Sequence, residues 1–112
     1  NPPTHGGAVV AAVLSSPELR QMWEDELGGM RDRIRAMRTS LVANLKAEGA
    51  PDFDFINVQR GMFSYTGLTA AQVEKMRADY GIYAVGTGRI CVAALNTKNI
   101  GYVAKAIAAV LK

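Results

Sequence analysis

The sequence predicts an α+β fold in which a long N-terminal helix precedes a small sheet of about four strands, covered by two further helices. Three patterns support this prediction: one apolar stripe with helical spacing, alternating apolar residues after Pro51, and two later segments that begin with capping residues. The chain has 112 residues, of which 49% are hydrophobic and 21% charged. This composition is typical of a globular domain and excludes a disordered or low-complexity chain.

The N-terminal segment predicts a short helix followed by the start of a longer one. Residues 8–14 form the longest purely apolar run, which we expect to be helical and buried on every side, with a strand as the alternative. Ser15 or Ser16 then caps a new helix, with Pro17 in its first turn and Glu18 completing a capping box. A membrane-spanning helix needs about 20 apolar residues, so we predict no membrane partner.

The next segment carries the strongest pattern, an apolar stripe along one long helix that ends at Gly49, with Pro51 beyond it. The stripe consists of Trp23, Leu27, Met30, Ile34, Met37, Leu41 and Leu45. Gly28 and Gly29 interrupt it, and each costs about 1 kcal/mol in a helix relative to alanine. Two interpretations of this pair stay open: close packing by a neighbour, or a hinge between two bodies that the helix connects.

Basic residues are concentrated in the second half of this helix, where Arg31, Arg33, Arg35 and Arg38 occur within eight residues. We predict that they form a solvated face opposite the stripe, because Asp32 interrupts the patch and no aromatic residue is interleaved for base stacking. The alternative is a helix that lies along the phosphates of a nucleic acid. The net charge of +3 is too small to favour that alternative, and we predict no nucleic-acid partner.

The remainder of the chain predicts four strands and two helices. Alternating apolar residues and intervening turns place the strands at residues 53–59, 61–67, 82–85 and 89–95. The first helix follows Thr69, which pairs with Gln72 in a capping box, and it ends at Gly81. The last helix follows Thr97. Its expected buried stripe is Ile100, Val103, Ala104, Ile107, Val110 and Leu111.

Residues able to carry catalysis are few. His5 is the only histidine and has no cysteine or carboxylate cluster at metal-ligand spacing, so we predict no metal site. Ser64 and Cys91 lack an identifiable base, and we predict no catalytic residue in this chain. Cys91 is also the only cysteine, which excludes a disulfide within these residues and favours a cytoplasmic location.

Arg89 is the strongest candidate for a ligand contact. It follows Gly86-Thr87-Gly88, a predicted turn between strands that opens no helix and so lacks the context of a dinucleotide site. An arginine held at such a turn can bind a carboxylate or phosphate through two parallel hydrogen bonds. The alternative interpretation is an ordinary surface arginine.

Four motifs that occur in order along the chain together resemble one enzyme family. They are Asn1-Pro2-Pro3-Thr4-His5-Gly6, Trp23-Glu24-x-Glu26-Leu27 with Met30-Arg31-x-Arg33-Ile34, Gly61-Met62-Phe63-Ser64-Tyr65-x-Gly67-Leu68, and Tyr83-Ala84-Val85-x-x-Gly88-Arg89-Ile90. Their combination is similar to the C-terminal part of the aspartate and aromatic aminotransferases, the class I pyridoxal-phosphate enzymes. The resemblance covers essentially the whole chain.

The resemblance implies a piece of a two-domain enzyme. Residues 1–28 correspond to the end of the large domain and the first half of the connecting helix, and residues 29–112 to the small domain. The cofactor lysine and the other pyridoxal-phosphate ligands then lie upstream, so the cofactor is bound by the missing domain and the fragment is inactive alone. The resemblance also implies a homodimer that acts on amino acids and 2-oxo acids.

The resemblance matches Arg89 to the arginine that binds the α-carboxylate of the substrate, and Phe63 to an aromatic residue that lines the pocket nearby. Simple core packing is the alternative for Phe63. The alternative for the whole chain is a free-standing α+β ligand-binding or regulatory module in which Arg89 binds an acidic metabolite. The choice between aspartate and aromatic substrates stays open, since the arginine that reads a side-chain carboxylate lies before Asn1 in the family.

Overall fold

The computed structural model describes all residues, 1–112, and is an α+β structure with five α-helices, one short 3-10 helix and one two-stranded sheet. In chain order the elements are α1 (Thr4–Ser15), α2 (Pro17–Ala47), α3 (Phe55–Val58), β1 (Phe63–Tyr65), α4 (Ala70–Tyr80), β2 (Arg89–Cys91), the 3-10 helix (Val92–Ala94) and α5 (Ile100–Val110). The chain divides into a first unit, Asn1–Arg33, and a second unit, Ile34–Lys112, and α2 contributes to both. None of the helices combines the length and apolar character needed to cross a bilayer.

In the first unit, α1 begins directly after Pro3, because a proline fits before the first turn but not inside a helix. The expectation that residues 8–14 are buried on every side is wrong, since α1 contains no buried residue. No other element of the first unit covers its apolar side chains. Ser16 rather than Ser15 caps α2, and its Oγ accepts a hydrogen bond of 3.3 Å from the backbone N–H of Leu19.

The predicted long helix is confirmed as α2, which continues through Gly28 and Gly29 without a break and ends two residues before Gly49. Gly49 follows it with a φ of +74°, the left-handed conformation that ends many helices. The apolar stripe is buried only in the second unit, where Met37, Leu41 and Leu45 enter the core. The stripe residues of the first unit, Trp23, Leu27 and Met30, are exposed.

The core of the second unit joins the C-terminal half of α2 to the helices and loops that follow it. Its fully buried large side chains are Leu41, Leu45, Ile56, Met76, Val92 and Ile107. The helices α4 and α5 pack against each other. The ring of Tyr80 in α4 contacts the ring of Tyr102 in α5 edge to face, with centroids 6.4 Å apart. The Tyr102 hydroxyl donates a hydrogen bond of 2.8 Å to the backbone carbonyl of Tyr80.

The predicted ends of α4 are confirmed, whereas the predicted cap of α5 is wrong. Thr69 and Gln72 form the reciprocal capping box, and Gly81 ends α4 in the left-handed conformation. At the start of α5, Asn99 precedes the first helical residue instead of Thr97. The side chain of Asn96 accepts hydrogen bonds from the two backbone N–H groups of Lys98 and Asn99, which orders the approach to the helix.

The sheet has two strands where the sequence predicts about four. Residues 53–59 contain the short helix α3 instead of a strand, and residues 82–85 form no strand. Phe53 and Ile56 are buried while Phe55 is exposed, so burial there follows a helical spacing of three rather than the alternation of a strand. The predicted strand at residues 89–95 is divided into β2 and the 3-10 helix.

The exposed apolar face of the first unit generates a prediction about association. This face comprises Val9, Val10, Leu14, Leu19, Met22, Trp23, Leu27 and Met30. Apolar side chains exposed in this number favour association in water, so we expect a polypeptide of residues 1–112 to self-associate through them. Sedimentation velocity over a range of concentrations checks this. Leu27→Lys should shift the distribution toward the monomer, and a strict monomer at high concentration contradicts the prediction.

Candidate functional site

Arg89 is the first residue of β2 and lies on the exposed face of the sheet. It pairs across the sheet with Tyr65, and Phe63 is the diagonal neighbour two residues along β1. The guanidinium carbon of Arg89 lies over the Phe63 ring, 5.0 Å from its centroid. The rings of Phe63 and Tyr65 are exposed, whereas Ser64 between them points to the opposite, buried face. The structure therefore brings together the two predicted site residues, Arg89 and Phe63.

The guanidinium of Arg89 forms no ion pair within the chain. The ion pairs of the structure join Arg20 to Glu24, Arg31 to Asp32, and Arg77 to Glu74. The Phe63 ring attracts the cation through its electron-rich face without consuming the hydrogen-bond donors at the edge of the guanidinium. These donors can bind a planar anion from outside the chain, and a carboxylate matches their fork geometry.

The backbone before Arg89 is fixed by a close approach of Gly88 to Leu68. Gly88 has a φ of +88°, and a Cβ at this position would lie 2.8 Å from the carbonyl oxygen of Leu68. The carbonyl of Gly88 accepts two hydrogen bonds from Thr66, one from its hydroxyl at 2.7 Å and one from its backbone N–H at 2.9 Å. The predicted turn at residues 86–88 is confirmed, and it holds the start of β2 in one conformation.

Arg38 contradicts the prediction of a solvated arginine face, because it is only 4% exposed. Its guanidinium donates hydrogen bonds to the Ser64 hydroxyl and to the carbonyls of Gly61, Phe63 (3.0 Å) and Ile56 (3.4 Å). Burial and, to a smaller extent, the nearby charge of Arg60 lower the pKa of Arg38. An arginine pKa starts so high that the group keeps its charge.

The spacing of Arg38 from its apolar neighbours is a sequence signal for its burial. Ile34, Leu41 and Leu45 are separated from Arg38 by four, three and seven residues, so the four side chains share one helix face. Arg31, Arg33 and Arg35 are exposed as predicted. The nucleic-acid alternative thus loses one of the four cations on which it rests.

The structure also places the other candidates that the sequence offered. His5 is exposed on α1, and no group of three or more histidine, cysteine or acidic residues is placed to hold a metal ion. Cys91 is half-buried at the end of β2, and the Ser64 hydroxyl is occupied by Arg38. The five lysines are all exposed: Lys46, Lys75, Lys98, Lys105 and Lys112.

Comparison with known proteins identifies the family. The model of the family "Aminotransferase class I and II" matches residues 1–107. The chain therefore belongs to the class I and II aminotransferases, and the resemblance to aspartate and aromatic aminotransferases is confirmed.

The relatives include enzymes of both names. The chain is 63% identical to an aspartate aminotransferase of Pseudomonas aeruginosa and 52% identical to an aromatic-amino-acid aminotransferase of Escherichia coli, each over 99% of this chain and 28% of the relative. Among solved structures, it matches the aromatic-amino-acid aminotransferase of Burkholderia pseudomallei covalently bound to pyridoxal phosphate, with a TM-score of 0.97 and 72% identity over 100% of this chain and 28% of that one. The chain thus spans little more than a quarter of the length of these relatives.

Class I aminotransferases depend on pyridoxal phosphate, but the residues of this chain do not fit its covalent attachment. Attachment uses a lysine amine, which becomes nucleophilic near neutral pH when it is desolvated or lies beside another cation. All five lysines of this chain are exposed to solvent. The roles of Arg89 and Phe63 toward a substrate, and the division of the chain at residue 28, stay predictions.

The turn before Arg89 generates a prediction with a matched control. We expect Gly88→Ala to lower the free energy of unfolding by about 2 kcal/mol or more, because it combines a positive φ with a clash against the Leu68 carbonyl. Gly86→Ala lies two residues away, in open space and without a positive φ, and should change stability by no more than about 0.5 kcal/mol. Urea denaturation of both variants measures the difference, and equal losses contradict the proposed constraint.

Proposed function

We propose that this chain is the C-terminal part of an aminotransferase that transfers an amino group between aspartate or aromatic amino acids and 2-oxo acids. In this proposal Arg89 binds the α-carboxylate of the substrate and Phe63 lines the pocket beside it. The observation that carries the proposal is the guanidinium of Arg89, which lies over the Phe63 ring without an ion-pair partner in the chain.

The chemistry of the guanidinium agrees with this role. Every amino acid and every 2-oxo acid carries an α-carboxylate, and a five-donor fork binds this planar group through two parallel hydrogen bonds. Binding in two places orients the substrate as well as holding it, which reduces the entropic barrier to reaction. The rigid turn at Gly88 supports the proposal, because it fixes the backbone from which the fork extends.

The remaining length of the relatives supplies the rest of the proposed enzyme. We propose that pyridoxal phosphate is bound there, that residues 1–28 belong to the large domain and residues 29–112 to the small one, and that the whole protein is a cytoplasmic homodimer. The separation of the chain into units at Arg33 and Ile34 and the exposed apolar face of the first unit support this arrangement. When bound, the cofactor supplies the electron sink for chemistry at the substrate α-carbon.

The similarity to aminotransferases favours this proposal over a free-standing module that binds an acidic metabolite. It extends over 99% of the chain and includes Arg89 and the turn that holds it. Relatives of both the aspartate and the aromatic type match the chain closely, and the proposal therefore includes both substrate classes.

Substitution of Arg89 in the full-length enzyme tests the proposed carboxylate contact. We expect Arg89→Ala to lower kcat/KM for aspartate and tyrosine alike, by about 3 to 5 kcal/mol of transition-state stabilisation in a closed, dry site. Arg89→Lys should recover only part of this, because an ammonium group cannot form the fork. Arg35→Ala, an exposed arginine on α2, is the control and should leave kcat/KM unchanged. A loss confined to one of the two substrates contradicts the assignment.

The exposed lysines generate a prediction for the isolated polypeptide of residues 1–112. We expect it neither to attach pyridoxal phosphate covalently nor to catalyse transamination, since none of its amines is desolvated. Borohydride treatment followed by mass spectrometry measures attachment, and a coupled assay measures amino transfer. The full-length enzyme is the positive control. Stoichiometric attachment to one lysine of the isolated polypeptide contradicts the prediction.

A further inference from the structure

Arg38 has a buried guanidinium that the proposed chemistry does not use. We propose that Arg38 is a positioning residue for the carboxylate site: it fixes β1 from the inner face of the sheet, and β1 in turn fixes Phe63 beneath Arg89. This inference rests on the proposed function of Arg89 and extends it to a residue that faces away from the substrate.

The contacts of Arg38 are concentrated on the segment that leads into β1. One guanidinium donates to the carbonyls of Gly61 and Phe63 and to the hydroxyl of Ser64, with a longer bond to the carbonyl of Ile56 at the start of that segment. Arg38 itself lies in the buried half of α2. The buried half of α2 is therefore joined directly to the backbone of β1.

The geometry of the strand transmits this constraint to the outer face. Side chains alternate along a strand, so Ser64 faces Arg38 while its neighbour Phe63 faces Arg89. Ser64 also pairs with Ile90, the residue next to Arg89, across the sheet. Any shift of β1 relative to α2 thus moves the Phe63 ring and the partner strand of Arg89 together.

The sheet needs an external anchor of this kind. Each of its strands has three residues, and an isolated two-stranded sheet is at best marginally stable in water. The anchor is also chemically specific, because Arg38 meets no carboxylate and is stabilised by four oxygen acceptors instead. Burial of a cation without a counter-ion is costly, and an apolar residue at this position would continue the stripe of Ile34 and Leu41. The placement of a charge here points to a positional role.

The test uses the full-length, cofactor-loaded enzyme and the variants Arg38→Met and Arg38→Lys, with Arg35→Met as the control on the exposed face of the same helix. We expect Arg38→Met to lower kcat/KM by about 10- to 100-fold for aspartate and tyrosine alike, the range that a misplacement of roughly 1 Å produces. The dissociation constant of an unreactive dicarboxylate, succinate, should rise in parallel. Arg38→Lys should fall between wild type and Arg38→Met, because three ammonium donors replace part of the network.

The kcat/KM and the succinate dissociation constant are measured well below the melting temperature of each variant, on enzyme whose cofactor absorbance equals that of wild type. Under these conditions a loss of positioning is distinguished from a loss of stability. A purely structural role lowers the melting temperature but leaves the succinate dissociation constant and kcat/KM unchanged, and that result overturns the inference. If Arg38→Met does not accumulate as folded enzyme, Ser64→Ala removes one acceptor from the network and should weaken succinate binding several-fold. An unchanged constant in Ser64→Ala also overturns it.

Measurement of Arg89→Ala in the same experiment distinguishes the proposed carboxylate contact of Arg89 from the positioning role of Arg38. If Arg89→Ala loses activity while the Arg38 and Ser64 variants do not, the positioning role is overturned and the proposed function stands. If Arg89→Ala retains full activity, the carboxylate assignment fails and the positioning role fails with it. Parallel losses in Arg89→Ala and Arg38→Met, with recovery in Arg38→Lys, support both.

Discussion

The arrangement of the second unit depends on the hydrogen bonds of one buried cation, the Arg38 guanidinium, which has no carboxylate partner. Arg38 is surrounded by oxygen acceptors from residues 56–64, and each of these hydrogen bonds compensates part of the cost of removing the guanidinium from water. No buried side-chain nitrogen or oxygen is left without a partner. Since a guanidinium is planar and rigid, its acceptors are confined to a few positions around it, and the irregular segment before β1 takes its path from that requirement.

The two residues of the proposed carboxylate site, Phe63 and Arg89, are held in place by different parts of the structure. Phe63 is placed by β1 and the contacts behind it, whereas Arg89 is placed by the glycine turn that precedes β2. The antiparallel pairing of the two strands then brings the Phe63 ring and the Arg89 guanidinium together. In the proposed enzyme, Arg89 binds the α-carboxylate that all substrates share. The residues that carry out the amino transfer lie elsewhere in the longer chain.

Local chemistry made the helices α2 and α4 predictable from the sequence, whereas α3 was predicted as a strand. The caps at Thr69, Gln72 and Gly81 act within one turn of the chain, and the spacing of the α2 stripe is likewise local, so both could be found without knowing the fold. The strands were not predictable in the same way. A strand requires a partner, and residues 82–85 alternate in burial without one.

The contacts of Arg38 and Arg89 were likewise not predictable from the sequence, because they involve residues that are distant along the chain. Arg89 was singled out by the turn before it and given its predicted role by the family resemblance, while its contact with Phe63 required the antiparallel register of β1 and β2. Arg38 shares a helix face with residues of the apolar stripe, which is compatible with its burial. Charged residues are rarely buried, however, and the burial of Arg38 is explained only by the oxygen atoms that accept its hydrogen bonds. The acceptors lie between 18 and 26 residues away in the chain.

The close approach of Gly88 to Leu68 also constrains how this protein can change over time. Every other genetically encoded residue carries a Cβ, so each single codon change at this position that alters the amino acid introduces the same collision. Position 88 therefore offers no gradual route of substitution, whereas a Cβ at position 86 would meet no other atom within 4 Å. A lineage that replaced Gly88 would need a simultaneous shift of the Leu68 backbone, and no change of side chain at position 68 supplies it because the atoms in the way belong to the main chain.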